Sequence, residues 1–100
     1  MIAGDLQQAL SDCNESLRLR ADDPNTLDSR GYAYFKLGQF DAAIADFDAA
    51  IARAPKLASS LYGRGLARMR KGDTAGDADI AAAKALQANI AEEQARYGIN

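Results

Sequence analysis

The sequence predicts an all-α fold of antiparallel helix pairs in tandem, and three observations carry that expectation. The first is composition. Across 100 residues 48% are apolar, alanine dominates, valine is absent and threonine occurs only at Thr26 and Thr74, so sheet-forming residues are scarce and helix formers abundant. The second is self-similarity at a fixed period. Shifting the chain by 34 residues places Leu27, Arg30, Gly31, Ala33 and Gly38 on Leu61, Arg64, Gly65, Ala67 and Gly72, a period that marks stacked helical units. The third is punctuation: Asp23-Pro24, Gly38, Pro55 and Gly72 stand where helices would begin or end.

The elements follow in order. Gly4–Arg20 reads as the second helix of a unit whose first helix does not precede it. Leu6, Ala9, Leu10, Cys13 and Leu17 point inward, and Gly4, Ala9 and Asp12 fall beneath Gly38, Ala43 and Asp46 at the same shift. Asp23 suits an N-cap and Pro24 the first helical position, so a helix is expected over Pro24–Leu37, ended by Gly38. Its partner spans Phe40–Ala54, with Asp41 in the first turn and Pro55 as the stop. The third unit repeats this as Ala58–Lys71, a Gly72-Asp73 turn, and a helix from about Ala75 to Gln87. Aligning Ala78-Asp79-Ile80 with Ala45-Asp46-Phe47 needs a shift of 33, so one residue is missing around Thr74–Asp77 and that corner is expected to be looser or differently wound. Ile80 then replaces Phe47, Ala83 replaces Ala50 and Ala88 replaces Pro55. A short last helix, Ile90–Tyr97, ends near Gly98 with Ile90, Gln94 and Tyr97 on one stripe.

The repeated glycine has a steric reading. Two antiparallel helices that cross closely need residues without bulk where their axes approach. Mid-helix glycine costs about 1 kcal/mol relative to alanine, so a glycine at both Gly31 and Gly65 implies such a demand. Ala43 and Ala50 would face it, with Tyr34, Phe40, Ile44, Phe47 and Ile51 filling the surrounding space.

The complete unit, Pro24 to Leu57, resembles the tetratricopeptide repeat. That family's pattern is W-x2-L-G-x2-Y, then A-x3-F, then P, and Leu27, Arg30, Gly31, Tyr34, Ala43, Phe47 and Pro55 occupy those places. Five of the seven match in type. Leu27 replaces tryptophan with another apolar residue, whereas Arg30 replaces leucine with a charged one. The resemblance implies a short right-handed α-solenoid, divided as a partial repeat over 4–23, a complete repeat over 24–57, a degenerate repeat over 58–88 and a capping helix over 89–100. A repeat array needs neighbours to bury each face, so the 4–20 helix is expected to keep an uncovered flank. Either the chain is cut from a longer array or two copies pair there as a homodimer.

Composition narrows the function. Twelve basic against fourteen acidic residues give no field that would attract nucleic acid, and no segment is long and apolar enough for a membrane span. With no histidine and a single cysteine, histidine acid–base chemistry, His/Cys metal sites and internal disulfides are unavailable. Cys13 takes the place of Phe47 in the preceding unit and reads as a small core residue. The aspartates at 41, 46, 48, 73, 77 and 79 lack the loop that calcium geometry needs. No catalytic set, cofactor or metal site is expected. The N-terminus lacks a secretory signal, which leaves the compartment open with a lean to the cytoplasm.

In tetratricopeptide proteins the first helices line a concave groove that holds a peptide, so the resemblance implies a non-catalytic scaffold with protein or peptide partners. Projected on that geometry, Asn25, Asp28, Ser29, Tyr32, Phe35 and Lys36 line the groove from the middle unit, and Ser59, Tyr62, Gly63, Leu66, Met69 and Arg70 from the next. Tyr32, Phe35, Tyr62, Leu66 and Met69 would form an apolar track, with Asp28, Lys36 and Arg70 setting polarity at its edges. Cover by a helix of the same chain, or by a unit upstream of it, is the competing expectation. The family's carboxylate clamp of lysine, asparagine and arginine has no counterpart, since Asp28, Ser29, Tyr32, Ser59, Gly63 and Leu66 supply no cation. The cluster Arg64, Arg68, Arg70 and Lys71 reads either as an anion site or as ion pairs with Asp77, Asp79, Glu92 or Glu93. The second is favoured, because no aromatic is interleaved for stacking on bases.

Overall fold

The computed structural model describes residues 2–99, and every regular element among them is helical. The helices are α1 (Ile2–Leu19), α2 (Pro24–Lys36), α3 (Phe40–Arg53), α4 (Ala58–Arg70), α5 (Gly76–Leu86) and α6 (Ile90–Ala95). Each of the first five packs on the next, α2 also touches α4, and α6 lies on α4 and α5. The expected boundaries hold to within two residues, the ends of α6 included. Thus α2/α3 and α4/α5 are stacked hairpins, with α1 packed against α2.

Local chemistry sets the ends. The Asp23 carboxylate accepts from the Asn25 amide (3.2 Å) and the Thr26 hydroxyl (2.9 Å), and Pro24 follows it at the first position of α2. Helices α2, α4 and α6 end alike. Gly38, Gly72 and Gly98 hold φ of 78°, 82° and 78°, and the residue after each returns its amide to the last turn: Gln39 to the Tyr34 carbonyl, Asp73 to Arg68, Ile99 to Gln94. This cap requires the left-handed region that glycine enters without penalty.

The core confirms a close crossing and assigns its bulk to one ring. Phe47 is fully buried, and a Cβ on Gly31 would stand 2.6 Å from it. A Cβ on Gly63 would collide with the same ring from the other side. Phe47 thus lies between α2 and α4, and both helices give up a side chain to admit it. In the last hairpin the approach is tighter. A Cβ on Gly65 would meet the Gly76 carbonyl at 2.8 Å, and one on Gly76 would strike the Gly65 carbonyl. The missing residue near Gly76 therefore draws two backbones together instead of loosening the corner.

Arg30, the charged departure from the repeat pattern, is explained by a partner on α3. Its guanidinium donates twice to Asp46, at 2.7 Å each, and once to Asn14 on α1 at 2.9 Å. Thirty-four residues on, Arg64 repeats the arrangement with Asp79 on α5 (3.0 and 2.8 Å) and Asp48 on α3 (2.8 Å). Each arginine ties its own hairpin together and reaches back to the preceding unit. Bonds of this paired, charge-assisted kind are the strong ones. The Asp46 and Asp79 side chains are only 7% and 8% exposed, so removing an arginine would leave a buried acceptor short of donors. Of the residues expected inward on α1, only Leu17 is buried, in a small cluster with Leu27 and Ala50.

Candidate functional site

The inner side of the stack is formed by α2 and α4, and the end of the chain folds onto it. Ile90 and Ile99 enter the same apolar cluster as Phe35, Leu61 and Tyr62. The turn at Gly98 puts Ile99 there, because the cap after α6 swings the next side chain back toward the helix. Tyr97, expected on the buried stripe, is instead 65% exposed. What remains open is a cleft of about 430 Å³. Asp28, Ser29, Tyr32 and Lys36 line it from α2, Ser59 from α4, and Glu93, Gln94, Tyr97 and Ile99 from the terminal segment.

The cleft floor is a hydrogen-bonded junction between α2 and α4. One Asp28 carboxylate oxygen accepts from the hydroxyls of Ser59 (3.0 Å) and Ser60 (2.5 Å). The Tyr32 hydroxyl donates to the Ser59 carbonyl at 2.5 Å, and its ring meets Phe47 edge-on at 4.9 Å. Burial raises the Asp28 carboxyl above the usual range, with the two serine hydroxyls opposing the rise. Burial likewise pushes the Tyr32 phenol upward, so it stays a neutral donor. Lys36 and Tyr97, both exposed, stand at the mouth. This wall offers hydrogen-bonding groups, one cation and aromatic surface.

The structure brings together Asp28, Ser29, Tyr32, Lys36 and Ser59 of the residues projected onto the groove. Phe35 and Tyr62 are corrected: each is only 6% exposed and belongs to the core. Phe35 packs edge-on against Phe40 at 5.5 Å and lies under the Arg70 guanidinium at 5.3 Å. Leu66 is half-buried against the same cluster, and Gly63 is buried where it faces Phe47. Met69 lines a different hollow with Gly72, Asp73 and Thr74, and Asn25 another with Asp12, Cys13 and Thr26. Ile90 and Ile99 pack in the same cluster as Phe35 and Tyr62, which takes those two rings out of the expected apolar track.

Sequence reasoning missed Glu93, Gln94, Tyr97 and Ile99 as lining residues. One signal was present: an apolar residue directly after a helix-ending glycine packs back on that helix. In the basic cluster Arg64 and Arg68 pair with Asp79 and Lys71 with Asp41, while Arg70 lies over the Phe35 ring. The pairing with Asp79 matches expectation, and Asp41 is an addition from the previous hairpin. Cys13 is a half-buried free thiol, raised chiefly by burial. Among the described residues no group of three acidic, histidine or cysteine side chains is placed to hold a metal, and no helix is long and apolar enough to cross a membrane.

No curated protein matches the chain. A family model described as the tetratricopeptide repeat matches residues 2–88, which takes in α1 to α5 and stops before α6. With its two glycine-crossed hairpins and a matching helix before them, the chain belongs to the tetratricopeptide repeat family, whose helical repeats serve as protein-interaction scaffolds.

Proposed function

We propose that this chain is a non-catalytic scaffold that binds a peptide segment of a partner protein in the cleft between α2 and its own terminal segment. The observation that carries the reading is the cleft itself. It is the place where the hydrogen-bonding groups Ser29 and Ser59, the exposed amine of Lys36 and the exposed ring of Tyr97 converge on one space of about 430 Å³. An acidic side chain of the partner pairs with Lys36, an apolar one lies on Tyr97, and its backbone meets Ser29 and Ser59. The core aromatics Phe35 and Tyr62 hold the wall in place and take no part in contact.

The test is a selection of binding peptides from a random library, followed by titration against two surface variants. Lys36→Glu and Tyr97→Ala alter exposed side chains and should leave the melting temperature unchanged. Each should weaken a selected peptide about tenfold, the order expected for a charge-assisted contact or an aromatic anchor. Peptides that bind both variants as tightly as the parent chain would refute the assignment.

A further inference from the structure

Of residues 95–99 only Ile99 is buried, at 2% exposure, while Ala95, Arg96, Tyr97 and Gly98 are exposed. The backbone of this segment bonds to itself. The amides of Tyr97 and Ile99 donate to the Gln94 carbonyl and that of Gly98 to Ala95, each at 3.0 Å. What carries the turn onto the inner side of the stack is the Ile99 side chain, which joins the cluster of Phe35, Leu61 and Tyr62. Helix α6 has its own anchors, since Ile90 is fully buried and Gln94 is buried beside it in the contact with α4 and α5. Gly98, at φ 78°, is the joint between the two, and glycine passes from the left-handed to the extended region without steric penalty. Rotation at this one residue frees Ile99 and leaves α6 where it is.

The seat of Ile99 borders the cleft, because Ile99 also lines it together with Tyr32, Lys36 and Tyr97. The half-buried Tyr32 and Leu66 pack on the same cluster, so the seat is apolar and its present occupant is aliphatic. A cation stands next to it: the atom that a Cβ on Gly98 would face is the Lys36 amine, at 4.0 Å. We infer that Ile99 is an internal ligand, filling an aliphatic subsite of the cleft that a partner peptide occupies with its own isoleucine, leucine or valine, adjacent to an acid held by Lys36. The inference rests on the cleft reading above and adds to it what the peptide must displace. Ile99 competes with every such peptide, so the apparent affinity is lowered by the fraction of chains in which the seat is open.

The probe is a peptide library randomised around a fixed Asp-Ile pair and selected on the full chain, with the best binder also made with serine in place of the isoleucine. In chain carrying labelled isoleucine methyls, the Ile99 signal should start displaced by the neighbouring rings and reach the position of an exposed isoleucine at saturation. The serine peptide should bind about tenfold more weakly. Ile99→Ser in the chain should bind the parent peptide about tenfold more tightly, and Ile99→Val should fall between. A side chain that only supports the cleft wall gives the opposite sign, because loosening the wall weakens binding. An amide spectrum of α1 to α5 shows that each variant is folded, and Ile99→Val, shorter by one carbon, carries the comparison if Ile99→Ser is not. Binding that is lost with Lys36→Glu while the Ile99 methyl stays fixed would overturn the inference and leave the cleft reading standing. Equal or weaker binding by the folded Ile99 variants would also overturn it. A library that yields no binder on the parent chain or on Ile99→Ser would remove both.

Discussion

The two complete hairpins, α2/α3 and α4/α5, share one layout and close it by different means. In the first, a glycine on α2 and another on α4 make room for the Phe47 ring, so side-chain bulk fills the crossing. In the second, Ile80 replaces the ring, and Gly65 and Gly76 let one backbone approach the other. Their polar seams differ as well: Asp46 is held by Arg30, while Asp79 is held by both Arg64 and Arg68. A repeat can therefore keep its arrangement while exchanging what occupies the crossing, provided small residues remain where the axes meet.

The largest expected effect comes from filling the first crossing. Gly31→Leu should cost at least about 4 kcal/mol, most of the margin of a small domain, and calorimetry should show no cooperative transition at ambient temperature. Phe47→Ala alone should cost about 3–5 kcal/mol. The double substitution should cost clearly less than the sum, because the leucine then enters the space the ring has left. Full additivity would mean that Gly31 and Phe47 do not share that space.

Next in size are the arginines. Arg30→Ala leaves the buried Asp46 carboxylate without its two guanidinium bonds, and about 3 kcal/mol is expected in denaturant unfolding. Arg64→Ala should cost about 2 kcal/mol, less because Arg68 still holds Asp79. A larger loss for Arg64 than for Arg30 would reverse the ranking of the two seams.

The smallest effect concerns the junction between the hairpins. Burial raises the Asp28 carboxyl above its ordinary 3.8, so the folded form binds this proton more tightly than the unfolded one. Stability from this group is therefore fully present below the ordinary value and declines as pH rises through the folded one. Asp28→Asn keeps an acceptor for Ser59 and Ser60 without the charge. The difference in melting temperature between variant and parent should grow in the variant's favour as pH is raised from 3 to 7. A difference that does not change with pH would show that the carboxyl is not desolvated.

Much of this was legible in the residues. The repeat and its punctuation placed the helix ends within two residues, because proline and glycine mark those ends and three glycine caps use one geometry. The groove was legible only in part. Helical spacing places Phe35 and Tyr62 on a face, but whether that face meets solvent depends on the segment after Gly98, whose return is a tertiary event. Arg30 looked like a departure because its partner, Asp46, is 16 residues away on the next helix. The role of Gly63 was hidden for a similar reason: Ser29 stands at its counterpart, so no repeat marked it, and its need comes from a ring on α3.

The most direct test of the binding account is an amide-shift map of the full chain with a library-selected peptide. The account predicts perturbations that centre on Ser29, Tyr32, Lys36 and Ser59 across to Glu93 and Tyr97, and that vanish with Lys36→Glu. A footprint on the outer faces of α3 and α5, with the cleft residues unmoved, would contradict it.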